Sequence, residues 1–480
     1  MQPAHVTGNL KSEGIKKKRT FFLGLGLALL ALVLGVAIPV PSGWSPAEFR
    51  ALGVLVFALV LWATEALDST VTGLAVLVVL PALQVISYED SMSGMGSTMI
   101  WRLVGIFVFT GAVQKCGLDR RVAYQVLRLA RGNVKIFFFL ILMTSFLFIF
   151  LVPAAMGRTV LLSTMVLGLL TAMNIQPPSA LGKSIFLALP MVSLISSTSI
   201  IVGASTEIYA AGLFQTILGF KWTYMSWLIA NLPIGLITII LMYPIFLWLF
   251  PPEMGSFPGG QGFLKEAIQE LGPLTVDEKR VLAVFSMLLV LWLADVSDFF
   301  PAELLAAIAL LVPGIGVFTW KEASKQINWG TLVLFGSGLA LAKALTATGV
   351  VDHLSRLLLQ VVGGLSAVGL AAVVFLLTVV VRLGMSNMMG AVATLLPLVL
   401  AFAGTVRVNP VWLGMVCVIA SASGFFFPAQ SPGAIYTYAY GYYTTKDMLR
   451  AGIWMVLVLF IVTTFIASFY WPLVGIPVHV

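Results

Sequence analysis

Three charged residues lie within or beside otherwise apolar stretches of the chain: Arg158, Glu207 and Arg382. A charged side chain in an apolar spanning segment costs about 2.5–3.5 kcal/mol on insertion scales, so such residues usually mark a site. A guanidinium is a rigid fork that matches the paired oxygens of a carboxylate or a sulfate. A carboxylate in the same surroundings can hold a cation or a proton. The three residues therefore predict a site for an ionic ligand.

Each of the three charges has competing interpretations. Arg158 can contact an anion directly, replace a bound cation with a tethered positive charge, pair with Glu207, or extend to the membrane surface. Glu207 can pair with Arg158, bind a cation, carry a proton, or serve as an N-terminal helix acid at the edge of a hydrated cavity. Arg382 can add positive charge to the same cavity or extend to its mouth. The residue types alone leave these alternatives open.

Small polar residues and glycines accompany the charges. Ser386 and Asn387 offer hydroxyl and amide oxygens that suit a sodium ion, and the helix that starts beside them directs partial positive charge at an anion. Small polar residues also pack helices in membranes. The predicted substrate-binding residues are Gly157, Arg158, Thr159, Ser205, Thr206, Ser386, Asn387, Ser431, Pro432 and Gly433. The predicted ligands of a coupling ion are Glu207, Gln430, Ser386 and Asn387, of which the last two are the candidate sodium ligands.

The composition excludes a soluble protein. Of the 480 residues, 60% are hydrophobic and only 10% are charged, whereas soluble domains are about 25% charged. Three His and two widely separated Cys provide neither a zinc cluster nor a disulfide framework, and no nucleophile, base and orienting group stand together, so we expect neither an enzyme nor a resident cofactor. The net charge of +8 comes mostly from Lys and Arg between apolar runs, which indicates positive-inside orientation in a lipid bilayer rather than nucleic-acid binding.

Proline, glycine and polar residues interrupt the apolar runs at 153–157, 203–207, 384–390 and 428–433. Irregular backbone at membrane depth is tolerated only where it lines a cavity or is buried in protein. The two halves of the chain show the same order of spans and interruptions, which predicts inverted repeats. We therefore expect an all-α polytopic membrane protein with about 11 transmembrane helices, two re-entrant hairpins and two broken helices, an architecture typical of transporters.

The predicted domain organisation follows from this order. Residues 1–50 are a cytoplasmic N-terminus and first transmembrane helix, 51–250 the first inverted repeat, 251–280 a cytoplasmic linker, 281–474 the second inverted repeat, and 475–480 a C-terminal tail. The odd number of crossings places the C-terminus outside the cytoplasm. We expect the protein in the plasma or inner membrane of the cell.

Several stretches resemble the divalent anion/sodium symporter family. They include LVLWATEALDSTVTGLAVLVVLPAL from residue 59, SNMMGAVATLLPL from residue 386 and PAQSPGAIYTYAYGYYTTKDMLRAGIW from residue 428. The resemblance implies an elevator-type carrier, usually a homodimer, with a scaffold and a moving transport domain. Family members carry Ser-Asn-Thr at each hairpin tip. Here Met388 follows Ser386 and Asn387, and the first tip, around Gly157, lacks the triplet, so the departures fall on the sodium-site motifs.

The combined expectation is a secondary active carrier for a small di- or multivalent anion of the dicarboxylate, citrate or sulfate class. Cation-coupled symport, with sodium or protons, and exchange both remain open, and no Gly-Lys-Ser/Thr phosphate loop supports ATP drive. One alternative is a cation/proton antiporter or arsenite-type permease of the same superfamily, with Glu207 as the exchanging carboxylate. Another is an uncoupled anion channel, which the same lining residues would serve.

Overall fold

The computed structural model of the chain describes residues 4–256, 260–294, 301–362 and 364–479. The described residues are mainly helical, with isolated β-bridges and no strand ladder. Eight of the described helices are long and apolar enough to cross a membrane, and further apolar helices are shorter. The prediction of an all-α polytopic membrane protein is confirmed.

Four helices precede the first repeated unit: α1 (Ala4–Ala37), α2 (Pro46–Thr64), α3 (Ser69–Ala82) and α4 (Tyr88–Ser93). Helix α1 begins at Ala4, so it includes much of the segment that was predicted as a cytoplasmic N-terminus as well as the first transmembrane helix. No proline falls between Pro3 and Pro39, so nothing in this segment removes a helical hydrogen bond.

The two halves of the chain contain the same order of helices. In each, a long helix leads to an amphipathic one, then to two interrupted pairs, and then to a long final helix. The first half comprises α5 (Thr98–Cys116), α6 (Leu118–Leu127), α7 (Val134–Leu147), α8 (Ala155–Ala172), α9 (Ala180–Ser197), α10 (Ser205–Leu218) and α11 (Tyr224–Leu249). The second half comprises α16 (Trp329–Thr348), α17 (Val350–Val362), α18 (Ala367–Leu383), α19 (Met388–Thr405), α20 (Pro410–Ala420), α21 (Pro432–Tyr438) and α22 (Thr445–Phe465).

The helices between the two halves are α12 (Gly260–Glu270), α13 (Val276–Leu293), α14 (Ala302–Leu311) and α15 (Trp320–Ala323). The predicted linker thus contains one short helix, α12, while residues 257–259 of that linker lie outside the described chain. The domain boundaries stay a prediction.

The four interruptions lie close to the predicted ones but are shifted. α7 gives way to α8 at residues 148–154, α9 to α10 at 198–204, α18 to α19 at 384–387, and α20 to α21 at 421–431. Proline and glycine mark one side of each break in the sequence, but the next helix starts wherever its first turn can form. Gly157 and Glu207 therefore lie inside helices, and so do Pro432 and Gly433. Pro432 is at the first helical position, where its missing N–H costs nothing.

Two ion pairs connect the halves in a crossed arrangement. Lys115, near the end of α5, lies 2.9 Å from Glu322 of α15, the short helix that precedes α16. Lys343, near the end of α16, lies 2.7 Å from Asp90 of α4, the short helix that precedes α5. The end of each long helix is thus next to the start of the other, so α5 and α16 are antiparallel.

Candidate functional site

Arg158 is completely buried in the first turn of α8. Its guanidinium donates hydrogen bonds to three backbone carbonyls. They are Val152 at 2.8 Å, Ser193 at 2.6 Å and Gly203 at 3.3 Å. The hydroxyls of Ser197, at 2.9 Å, and Ser196, at 3.3 Å, complete the set, and only Nε lacks a partner. Arg158 therefore joins the tip of the first hairpin to both sides of the break between α9 and α10.

Arg382 is also completely buried, at the end of α18. Its guanidinium donates to the carbonyls of Met385, of Ser421 at 2.9 Å, and of Gln430 at 3.0 Å. A methyl group on Gly424 would lie 2.2 Å from Nη2, so a glycine makes room for the guanidinium there. Arg382 joins the second hairpin tip to both sides of the break between α20 and α21.

The two arginines make equivalent contacts from different sequence positions. Arg158 follows the first tip, whereas Arg382 precedes the second. Each guanidinium nevertheless donates hydrogen bonds to one carbonyl of a hairpin tip and to two carbonyls of a broken helix. We call the two sets of carbonyls the carbonyl cages. Because both side chains are buried, the interpretation that either one extends to the membrane surface or cavity mouth is wrong.

Glu207 lies in the first turn of α10 and is completely buried, with neither carboxylate oxygen hydrogen-bonded. It forms no ion pair with Arg158 within 4 Å, so the predicted direct pairing is wrong, although the two charges attract each other over a longer distance. The predicted hydrated edge is also wrong. The N-terminal position remains, and there the helix dipole favours a negative charge.

The polar residues at the second hairpin bond mostly to backbone. Asn387 caps α19 by accepting from the Met389 N–H at 2.9 Å, and Ser431 caps α21 by accepting from Ala434 at 3.1 Å. The Gln430 amide donates to the Arg382 carbonyl at 2.9 Å and accepts from two backbone N–H groups. Ser386 instead donates to Glu65, which lies between α2 and α3.

The first-half residues are arranged differently. The Thr159 hydroxyl donates to Ser193 at 2.9 Å, and a methyl group on Gly433 would lie 3.1 Å from the Thr159 hydroxyl, so α8 and α21 meet there. Neither α8 nor α10 has a side-chain cap, because Ala154 and Ala204 occupy the capping positions. Ser205 and Thr206 lie in the first turn of α10. The backbone N–H groups that begin these two helices therefore remain available to a ligand.

Two clefts of similar size lie at the crossed ion pairs. One, of about 410 Å³, is lined by Gln114, Lys115 and Lys325, among others. The other, of about 440 Å³, is lined by Ser97, Gln215 and Lys343, among others. The Thr319 backbone N–H and the Lys115 ammonium lower the pKa of Glu322 to about 2, so this acid is ionised at neutral pH.

Several residues of the site were not identified from the sequence. Ser193, Ser196 and Ser197 bond to Arg158, and the run of hydroxyl residues at 196–199 inside an apolar span is the signal that marks them. Glu65 and Gln114 approach the hairpins from outside the breaks. Glu65 lies in the family-like stretch that starts at residue 59, whereas no local pattern distinguishes Gln114. Among the described residues no cluster of His, Cys, Asp and Glu is suited to a metal ion. The predicted sodium ligation by Ser386 and Asn387 stays a prediction.

Comparisons with known proteins place these features in a family. The family profile described as the sodium:sulfate symporter transmembrane region matches residues 19–476. A membrane protein of Cupriavidus necator is 25% identical over 95% of this chain and 94% of its own length. The sodium-dependent dicarboxylate transporter SdcS of Staphylococcus saprophyticus is 25% identical over 94% of this chain and 91% of its own length.

One solved structure is similar to this chain in fold alone. MtrF of Neisseria gonorrhoeae, described with a class of antimetabolite efflux pumps, aligns with a TM-score of 0.59 and 12% identity over 96% of both chains. The family match spans nearly the whole chain, which confirms the resemblance drawn from the sequence motifs. The chain belongs to the sodium:sulfate symporter family and is therefore a multi-pass membrane transporter and not an enzyme.

Proposed function

We propose that the chain is a secondary carrier of a small di- or multivalent anion, of the dicarboxylate, citrate or sulfate class, across the cell membrane. The observation that carries this proposal is the burial of two guanidinium groups at the broken segments, one of them, Arg158, beside the uncapped N-termini of α8 and α10. The family description names sulfate, and the name of the SdcS relatives specifies dicarboxylates. All of these ligands are compact anions with several oxygen acceptors.

The charge of the region favours an anion. Arg158 and Arg382 contribute two positive charges, and Glu207 is the single acid buried with them in the broken segments that the structure describes. The first turns of α8 and α10 add the partial positive charge of their free N–H groups. An anion bound between these elements would have its charge compensated without importing a counter-ion.

The carbonyl cages support a proposal about coupling. Unwound carbonyls and half-helix C-terminal ends are the groups with which broken-helix transporters hold sodium. Here a guanidinium already occupies such a position in each half, hydrogen-bonded to three carbonyls. We therefore favour a tethered charge in place of a sodium ion, with anion movement by exchange or by coupling to another gradient.

The contacts also support an elevator-type movement. Arg158 and Arg382 each tie a hairpin to a broken helix, and the close approach of Thr159 and Gly433 ties the two halves to each other. These elements would move as one body, while α5 and α16 with their crossed ion pairs would remain as scaffold. A homodimer is expected from the family resemblance.

Transport by the purified protein in proteoliposomes tests the proposal. Uptake of labelled succinate, citrate and sulfate should be measured with sodium, proton and counter-anion gradients varied one at a time. We expect saturable uptake of at least one anion without sodium, stimulated by unlabelled anion inside. Empty vesicles and the exposed-site variant Arg450→Ser are the controls. Absence of uptake for every anion would exclude the carrier, and non-saturable downhill flux would indicate a channel.

A second candidate, proton exchange in the manner of a cation/proton antiporter or arsenite-type permease, is favoured by Glu207. Its two carboxylate oxygens are buried without hydrogen-bond partners, so a proton would find unoccupied acceptors there. Glu207→Gln keeps the shape and removes the titratable group. If protons pass through Glu207, a pH gradient should drive flux in the wild type and not in this variant. Equal responses in both proteins would exclude that role.

A further inference from the structure

The crossed ion pairs define two clefts at opposite ends of α5 and α16. Lys115 lies in the last turn of α5 and bonds to the Val317 carbonyl at 2.8 Å as well as to Glu322. Lys343 lies near the end of α16 and bonds to Asp90. Each helix is long enough to cross a bilayer at about 1.5 Å per residue. Because the helices are antiparallel, one cleft opens towards each face of the membrane.

The clefts correspond to each other by the repeat. Trp101 and Lys115 in α5 have the same spacing as Trp329 and Lys343 in α16. Each lysine pairs with an acid on the short helix that precedes the opposite half, and the cleft volumes are about 410 and 440 Å³. Each cleft therefore presents a lysine that is paired with an acid in the same relation, on opposite faces, and the first cleft has a second lysine, Lys325.

Each cleft contacts a helix of the candidate site. Gln114 lines the first cleft, and its amide would lie 3.0 Å from a methyl group placed on Gly157 in the first turn of α8. Gln215 and Thr216 line the second cleft, and they belong to the last turn of α10, whose first turn carries Glu207. Each cleft is therefore lined by an amide side chain as well as by a lysine.

The lysines are paired but not buried. The side chains of Lys115 and Lys343 are 40% and 41% exposed, and those of their acidic partners are exposed to a similar degree. Ion pairs this exposed are worth less than about 1 kcal/mol, so an arriving anion can compete with the carboxylate for the ammonium group. A compact dianion would gain a charge-assisted hydrogen bond that the carboxylate gives up.

We propose that the two clefts are access subsites for the transported anion, one on each face, in which Lys115 and Lys343 receive the anion and Glu322 and Asp90 limit its affinity. This inference rests on the proposed carrier function. It goes beyond that function by assigning a sided role to residues outside the broken helices. The anion class is the same one, a small dicarboxylate, tricarboxylate or sulfate.

The test uses the opposite changes in KM that we expect when the lysine or its acidic partner is replaced. Uptake kinetics for succinate, citrate and sulfate should be measured in right-side-out and inside-out vesicles. Lys343→Gln should raise KM about fivefold from one face, and Lys115→Gln should do so from the other. Asp90→Asn and Glu322→Gln should lower KM from the same face as the lysine that each one releases. Lys183→Gln, which breaks an ion pair to Asp447 at 3.0 Å outside both clefts, is the matched control and should leave both KM values unchanged.

A bracing role for the pairs predicts a different result. Loss of either the lysine or its acidic partner would then raise KM from both faces and lower the thermal stability. This outcome would overturn the proposal. A direct binding measurement separates failure of the inference from failure of the proposed function. Suppose that the wild type transports none of the anions, yet one anion raises the unfolding temperature of the wild type more than that of the lysine variants. In that case the subsites are supported and the carrier function is refuted. Equal stabilisation of wild type and variants would refute the subsites.

Discussion

At the scale of single residues, the decisive feature is that neither Arg158 nor Arg382 has a carboxylate within bonding distance among the residues that the structure describes. Each one instead donates to backbone carbonyls at a hairpin tip and at a break between helices. A buried polar group that loses its hydrogen-bond partner costs about 1–3 kcal/mol. The arginines therefore stabilise the breaks and supply positive charge at the same time.

Removing Arg382 should expose this double role. In Arg382→Ser the three carbonyls lose their donor. One unpaired buried carbonyl costs about 1–3 kcal/mol, and about 1.4 kcal/mol corresponds to a factor of ten. We therefore expect transport in sodium-free buffer to fall at least about tenfold. The emptied carbonyl cage should then accept sodium, so that added sodium restores part of the activity. Uptake with sodium against choline as the external cation measures the effect.

Two control measurements are needed to interpret the result for Arg382→Ser. Wild-type uptake should be the same in sodium and in choline, and the exposed-site variant Arg450→Ser should behave like wild type. A wild-type carrier that works only with sodium would contradict the tethered-charge proposal. A variant that remains as active as wild type without sodium would show that Arg382 supplies no charge needed for transport.

At the scale of elements, the break between α9 and α10 depends on backbone that a side chain would disturb. Gly203 lies near the end of this break, and a methyl group there would lie 2.0 Å from the Ser197 carbonyl oxygen. The obstacle is backbone, so no side-chain rotation relieves it. The Gly203 carbonyl is also one of the Arg158 acceptors, so a shift of this break would disturb the carbonyl cage.

Gly203→Ala should therefore lower thermal stability and transport together. We expect about 1–3 kcal/mol of destabilisation, in the range of other overpacked sites. Gly404→Ala is the matched control, because Gly404 lies inside α19 with no atom within 4 Å of the added methyl group, so the change should be neutral or stabilising by about 0.5–1 kcal/mol. Unfolding temperatures in detergent measure both. Equal effects of the two variants would show that the break tolerates a side chain.

At the scale of the whole molecule, Ser386 and Glu65 connect the second hairpin tip to the segment between α2 and α3. In an elevator-type movement this contact would form and break in every cycle, because the hairpin would travel with the transport domain. The Arg158 and Arg382 contacts would persist, because they lie inside that domain.

Cross-linking tests this division. Cysteines introduced at residues 65 and 386, in a background with Cys116→Ser, should be joined by a short bifunctional maleimide, and the joined protein should lose transport. The buried Cys417 can stay. Each single-cysteine variant treated in the same way should remain active. Undiminished transport by the joined protein would mean that the tip does not move relative to α2 and α3.

The membrane class and the positions of the four interruptions, to within about seven residues, could be predicted from the amino-acid sequence, and Arg158, Glu207 and Arg382 could be recognised there as isolated charges. Each of these features has a local physical cause, because apolar runs, helix-breaking residues and isolated charges have the same effect whatever the tertiary structure. The family also followed from the sequence, through motifs in its second half.

The contacts of the three charged residues, in contrast, depend on the folded arrangement of the helices. Arg158 and Arg382 occupy unlike positions relative to their tips, and nothing in their local sequence indicates that both end among carbonyls of broken helices far along the chain. The same holds for Glu207, left without a bonded partner, and for the crossed pairs of Lys115 and Lys343. Contacts between distant segments depend on how helices pack, and packing is a property of the whole chain.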